Sequence, residues 1–253
     1  MSVARGNIIT FIDDDIRLFE GWLAAIIEGF NDDRVGVLGG KIKLWLNGVS
    51  EPASFSHYHR RLLGLNEWGD ELLEVDPFRV FGGNFAMRRR VAAAVGEFSN
   101  DFGRSGDNRL AGEEADYFLR ARDQRFRFFY HPRMAVEHLV DANRITDDYL
   151  FRSARGVGMS RVRLIDRAYK MNSELALNLL GRLHKKRLDY EDEGDEAKRL
   201  ENATQREDVL GQLISTLDHL YGGRSQAGST DLMAHPSLRQ DGYFDLEARS
   251  EKL

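Results

Sequence analysis

The segment Asn7–Leu23, NIITFIDDDIRLFEGWL, joins a short apolar run of β-formers to three consecutive carboxylates, Asp13, Asp14 and Asp15, and then to an amphipathic stretch. Three adjacent anions repel one another, so a stable chain groups them where water, a turn or a cation absorbs the charge. NIITFI is apolar on both faces, which suits an interior strand of a parallel sheet. After it, Trp22, Leu23, Ile26, Ile27 and Phe30 fall at helical spacing, so the acidic triplet is expected to lead into a helix that NDD closes.

Working outward, strands and helices alternate to about Tyr149. RVGVLGGKIKLWL reads as the second strand, with Gly39–Gly40 marking a bulge or a close backbone approach. A helix around FSHYHRRLLGL is followed by FRVFGGNFAMR, a strand broken at Gly82–Gly83, and by the helix RRRVAAAVGEF. GEEADYFLRARDQ is an amphipathic helix with Tyr117, Phe118 and Leu119 on its apolar side, and FRFFYHPRMAVEHL is a strand, or two, broken at Pro132. Such an order is that of an α/β sandwich. From Thr146 onward helices dominate, with DYEDEGDEAKRLENATQRED as a charged link before VLGQLISTLDHLY. The expected division is an α/β core over residues 1–150, a helical extension over 151–221 and a flexible tail over 222–253.

Composition narrows the function. A formal charge of -5 gives no general attraction for nucleic acid or an anionic membrane, so no nucleic-acid partner is expected and any bound anion needs a local site. The absence of cysteine excludes disulfides, thiolate zinc and a cysteine nucleophile. MSVARGNIITFI lacks a signal-peptide core, and no run approaches the roughly 20 apolar residues of a transmembrane helix. The chain is read as cytoplasmic.

In an open α/β sheet, ligands collect beyond the carboxyl ends of the strands, where Asp13–Asp15 fall. Side chains one residue apart, Asp13 and Asp15, suit a hard divalent cation that also takes phosphate oxygens. The same triplet suits a solvated acidic turn capping a helix, and the residues alone leave both readings open.

Two further segments, FGGNFAMRRRVAAAVGEF and AGEEADYFLRARDQRFRFFYHPRMAVEHL, follow FIDDD in order. Together the three resemble the family 2 glycosyltransferases of the GT-A fold over roughly residues 4 to 160. That pattern is an apolar strand ending in a DXD-type acidic motif, a Gly-Asn loop before an Arg-rich helix, an acidic helix ending in LR, and a strand closing on P…H. The resemblance implies a partial GT-A-like mixed sheet flanked by helices, followed by the helical carboxyl-terminal extension.

It also implies roles. Asp13 and Asp15 match the outer positions of the motif that holds Mn²⁺ or Mg²⁺ against the diphosphate of a nucleotide sugar, with Asp14 between them on the substrate side. His138 matches a position that in some members supplies a third metal ligand, and an imidazole favours Mn²⁺. Glu114 matches the catalytic base of an inverting transfer, Glu113 precedes it where the family has Glu-Asp, and Asp116 is the alternative base. Gly82, Gly83 and Asn84 match the loop beside the donor sugar and acceptor. Acidic residues at a helix start equally suit the helix dipole, and a plain turn uses the same glycines. Arg88, Arg89 and Arg90 could meet phosphate or stand in solvent. Trp45 and Trp68 could stack on sugars, whereas Trp22 reads as core.

The partners implied are a nucleotide-sugar donor and a glycan or lipid-linked acceptor, as in polysaccharide biosynthesis, at the inner face of a membrane as a peripheral protein or with a protein partner. In the family the acidic motif follows a nucleotide-binding half, whereas here it begins at Asp13. The resemblance therefore implies a chain lacking that half, one that pairs with another polypeptide, or one that has lost nucleotide binding and serves as a binding or assembly module. A sheet edge left exposed beside NIITFI is expected to promote self-association. An unrelated cation-binding α/β domain is the remaining alternative.

Overall fold

The computed structural model describes residues 3–99, 112–168 and 173–221. Six strands, β1 (Ile8–Ile12), β2 (Ile16–Leu18), β3 (Val35–Trp45), β4 (Leu73–Val75), β5 (Asn84–Arg88) and β6 (Arg127–Leu139), form one sheet. Their order is β1-β5-β3-β6-β2, and β4 also pairs with β6. β3 and β6 run parallel and every other pair antiparallel, so the sheet is mixed, as expected.

Alternation along the strands sends side chains to two covered faces. Leu38, Ala86 and Val136 pack with Trp22, Ala25 and Ile26 of α1 (Trp22–Gly29). Val37, Phe85 and Met87 pack on the other side with Val91 of α3 (Arg89–Val95) and with Tyr117, Phe118 and Ala121 of α4 (Glu113–Asp123).

Several expectations are corrected. β1 lies at the sheet edge, antiparallel to β5, and is not an interior parallel strand. Its two apolar faces report the covering layers: Ile8 packs into one core and Phe11 into the other, where its ring stacks on Phe85 at 4.5 Å. The acidic triplet leads into β2, and α1 only follows that strand. Gly82 and Gly83 form a turn before β5 and do not interrupt a strand; the preceding Pro77–Arg79 is a 3₁₀ turn.

β6 is continuous through Pro132. On its outer side β4 covers Phe128–Tyr130 and β2 covers Val136–His138, so the proline, which has no N–H to give, falls in the gap between them. Toward β3 the pairing jumps from Gly40↔His131 to Ile42↔Val136, an irregularity that begins after Gly40 and puts the extra residues, 132–135, in β6. A Cβ on Gly40 would stand 2.0 Å from the Met134 carbonyl, so this is the close approach read from the sequence.

The helical part comprises α5 (Asp147–Ala168), α6 (Ser173–Asp192) and α7 (Glu196–Tyr221). The supposed charged link is therefore almost wholly helical, interrupted only over 193–195, because its Glu, Lys, Arg, Gln and Ala residues are strong helix formers. Asp195 opens α7 by accepting a hydrogen bond from the Lys198 N–H at 3.0 Å. α5 and α7 touch backbone to backbone: a Cβ on Gly158 would lie 2.0 Å from the Asp208 carbonyl, and one on Gly211 2.0 Å from the Arg155 carbonyl. The short helix α2 (His57–Leu62) docks on α7 through His59 Nε2 to Thr204 Oγ1 at 3.0 Å and Tyr58 OH to Asp208 at 2.9 Å. Among the described residues no helix is long and apolar enough to cross a membrane. The expected tail over 222–253 lies outside the described residues.

Candidate active site

The end of β1, the Gly82–Gly83 turn and the first turn of α4 border one open cleft of about 390 Å³, lined among others by Asp13, Gly82, Phe85, Phe98, Glu113 and Glu114. Asp13 is anchored through its N–H, which donates to the Gly83 carbonyl at 3.4 Å. A Cβ on Gly83 would come within 2.8 Å of Asp13 Oδ2, and one on Gly82 within 2.1 Å of Glu114 Oε1. Two successive glycines thus bring together two carboxylates far apart in sequence, each seated where any other residue would hold it off. Asp14 is exposed beside them.

Glu113 and Glu114 open α4, where negative charge complements the free N–H groups. Glu113 also accepts the Gly112 N–H at 3.1 Å. Asp116 is 2% exposed and accepts from Arg120 Nε at 2.9 Å, while Arg120 donates onward to the Val95 and Glu97 carbonyls at 2.8 Å each. Asp116 therefore ties α4 to the end of α3 and is not among the residues lining the cleft.

Asp15 and His138 meet across the β2–β6 ladder, Oδ2 lying 3.3 Å from Nε2. His138 Nδ1 faces the Leu63 carbonyl at 2.8 Å, one of the acceptors left free where α2 ends. Arg144, just before α5, spans the pair: NH1 is 3.2 Å from His138 Nε2 and NH2 is 3.3 Å from Asp15 Oδ2. A guanidinium only donates, so its bond to Nε2 takes that nitrogen's lone pair and assigns the proton to Nδ1. A carboxylate beside an imidazole whose other nitrogen is held by a backbone carbonyl is a donor set that fits a divalent cation. Asp13 does not complete it: among the described residues no three His, Asp or Glu side chains converge for a metal.

Other candidates are placed differently. Asn84 is fully buried; its Nδ2 donates to the Lys41 and Met134 carbonyls at 3.1 and 2.8 Å, and its Oδ1 accepts from Trp22 Nε1 at 2.9 Å. It is a brace between α1 and three strands, not a ligand for hydroxyls. Arg88, Arg89 and Arg90 bond to backbone carbonyls, among them Val35 at 2.9 Å, Gly6 at 2.8 Å and Asp33 at 2.6 Å, so each is anchored to the backbone. Trp22 is core, as read. Trp45 and Trp68 carry arginines on their rings, Arg17 at 4.4 Å and Arg79 at 4.3 Å. Sequence reasoning missed Arg144 altogether, for a lone arginine between a 3₁₀ turn and a helix carries no signal of its own.

No family model matches the chain. Over 177 residues it is 27% identical to glucosyl-dolichyl phosphate glucuronosyltransferase of Haloferax volcanii, a match covering 68% of this chain and 55% of that protein. The chain thus spans about half the length of this curated relative. Among solved structures, GalNAc-T7 with UDP, GalNAc and Mn²⁺ aligns at TM-score 0.38 and 15% identity over 62% of this chain and 32% of that one. S. aureus TarS 1-349 in complex with UDP aligns at TM-score 0.36 and 13% identity over 91% and 71%. The resemblance read from the acidic motif, the Gly-Gly-Asn turn and the Glu-Glu helix is borne out by the curated relative: the chain is similar in sequence to a glycosyltransferase over most of its length.

Proposed function

We propose that this chain is the acceptor-side part of a metal-dependent, inverting family 2 glycosyltransferase that moves a sugar from a nucleotide-sugar donor to a glycan or lipid-linked acceptor. The observation that carries it is the seating of Asp13 and Glu114 on the Gly82–Gly83 turn of one cleft. Glu114 is the general base: it takes the proton of the acceptor hydroxyl as the anomeric carbon is attacked from the face opposite the leaving diphosphate. Glu113 adds negative charge beside it, and the bare glycines let the Glu114 and Asp13 carboxylates close over the turn. Asp15 and His138 would hold Mn²⁺ or Mg²⁺, with phosphate oxygens of the donor completing the set. When bound, such an ion neutralises charge on the departing diphosphate. Asp14, exposed at the same turn, contacts the donor. The relative, by its name a glucuronosyltransferase for glucosyl-dolichyl phosphate, supports a lipid-linked acceptor and hence work at a membrane face.

The test is to incubate the full chain with a panel of nucleotide sugars and Mn²⁺ and follow release of nucleoside diphosphate. Slow release that vanishes in Glu114→Gln and in Asp13→Ala is expected. If no nucleoside diphosphate binds, with or without Mn²⁺, the proposal fails.

A second reading, a non-catalytic binding or assembly module, is favoured by Arg144, which already neutralises Asp15 and engages His138. Under it, Mn²⁺ leaves nucleotide affinity unchanged.

A further inference from the structure

Arg61 of α2 is a cation without an anion. Its NH1 is buried and has no hydrogen-bond partner, the residue as a whole is half-buried, and among the described residues its side chain makes neither an ion pair nor a hydrogen bond. What surrounds it is aromatic: its guanidinium lies 4.7 Å from the Trp68 ring and 5.2 Å from the Phe81 ring. A second cation, Arg79, stacks on the same Trp68 at 4.3 Å. Burial, followed by repulsion from Arg161 and Arg79, pushes the Arg61 pKa down to about 10.

Such an arrangement is costly as it stands. Aromatic faces repay part of the desolvation of a guanidinium, but a buried charge is ordinarily held by a counter-charge as well. The acids paired with elements around α2 and Trp68 are engaged elsewhere. Asp208 accepts from Tyr58 at 2.9 Å, from Arg161 at 2.5 Å and from Gln212 at 2.8 Å. Glu67 and Asp70 pair with Lys41 at 2.8 and 3.1 Å. What would balance the cluster is an incoming anion, and two guanidinium groups held at one indole suit the bidentate geometry of phosphate, each offering a planar fork.

Position says which anion. Phe81 precedes Gly82 of the cleft, and two residues beyond Arg61 the Leu63 carbonyl holds His138, so the chain links the cluster directly to both parts of the candidate site. Of the groups of that site, Asp14, Asp15 and His138 serve the donor diphosphate and its cation, whereas Glu114 serves the acceptor hydroxyl. We infer that Arg61 and Arg79, with Trp68 and Phe81 as apolar walls, form a subsite for the phosphate of a phosphorylated acceptor. This rests on the glycosyltransferase reading for the word acceptor, while phosphate binding by the two arginines stands by itself.

The experiment is calorimetry on the full chain with three probes: inorganic phosphate, farnesyl phosphate as a short lipid phosphate, and UDP with Mn²⁺. Farnesyl phosphate should bind more tightly than inorganic phosphate, because the walls add apolar contact. Arg61→Gln and Arg79→Gln should each weaken both by roughly 10- to 100-fold, the range for losing a charged hydrogen bond, with UDP affinity unchanged. Arg61→Lys should restore only part, since an ammonium cannot pair bidentately. Because Arg61 is half-buried, Arg79→Gln provides the reading should the Arg61 variants unfold. Wild type that binds neither phosphate, or binding that survives both Gln variants, overturns the inference. A loss of UDP affinity parallel to that of farnesyl phosphate would overturn the acceptor assignment and give the cluster to the donor. Failure of UDP to bind the wild type counts against the proposed function alone.

Discussion

Gly82 carries Glu114 directly above its Cα, so close that a Cβ would stand 2.1 Å from Glu114 Oε1. The far end of a glutamate can swing aside, so Gly82→Ala should fold normally yet displace the carboxylate. A misplacement of that order costs about 100-fold in rate. Nucleotide-sugar turnover by Gly82→Ala should fall by about that factor with a melting temperature near wild type; equal turnover would remove Glu114 from the reaction.

Asn84 answers the opposite description, since it braces the fold. Asn84→Ala leaves the Trp22 indole N–H and the Lys41 and Met134 carbonyls without their partner in a buried position. Stability should drop by about 2–4 kcal/mol, read as a lower midpoint in urea. A loss under about 0.5 kcal/mol would mean that water replaces the amide.

The guanidinium of Arg144 competes for the acceptors that a metal needs. Arg144→Gln should therefore bind Mn²⁺ several-fold more tightly than wild type in calorimetry without nucleotide, and Asp15→Ala more weakly than either. If Arg144→Gln leaves Mn²⁺ affinity where it was, the pair Asp15–His138 is not the metal site.

Stability should fall as pH drops below about 6.5. Burial lowers the pKa of His59 and of His131 from their ordinary 6.5, so the folded chain binds fewer protons than the unfolded one and is progressively disfavoured once the unfolded histidines titrate. Against His131 stand Glu28, which raises its pKa, and Arg133, which lowers it, both weaker than burial. Urea midpoints at pH about 7.5 and about 5.5 check this, and His131→Asn should flatten part of the slope. A midpoint that rises on acidification would contradict the assignment.

How far the sequence carried depended on the range of the interaction. Local chemistry was legible: the β-run before Asp13, the Glu113–Glu114 start of α4 and the helical spacing of Trp22 and Ile26 each appear as elements. So was the meeting of Asp13 with Glu114, through the family pattern. What could not be read was decided by distant partners. An apolar strand is the same string whether other strands or only helices cover it, so β1 looked interior. Asn84 beside two glycines looks like a loop ligand until Trp22, Lys41 and Met134 close around it. Arginines look solvated in any sequence; Arg61, Arg88 and Arg144 acquire meaning only from what is packed against them.

The close approach of Gly158 to Asp208 and of Gly211 to Arg155 reaches further than the helical extension. It keys α7 to α5 at a fixed register, and α7 holds α2 through His59 and Thr204, while the end of α2 presents the carbonyl that orients His138. A slip of α7 by one turn, about 5.4 Å, would carry that carbonyl off its imidazole. α2 and α7 thus act as one unit, and a chimera that exchanges the last helix must exchange the residues around His59 with it.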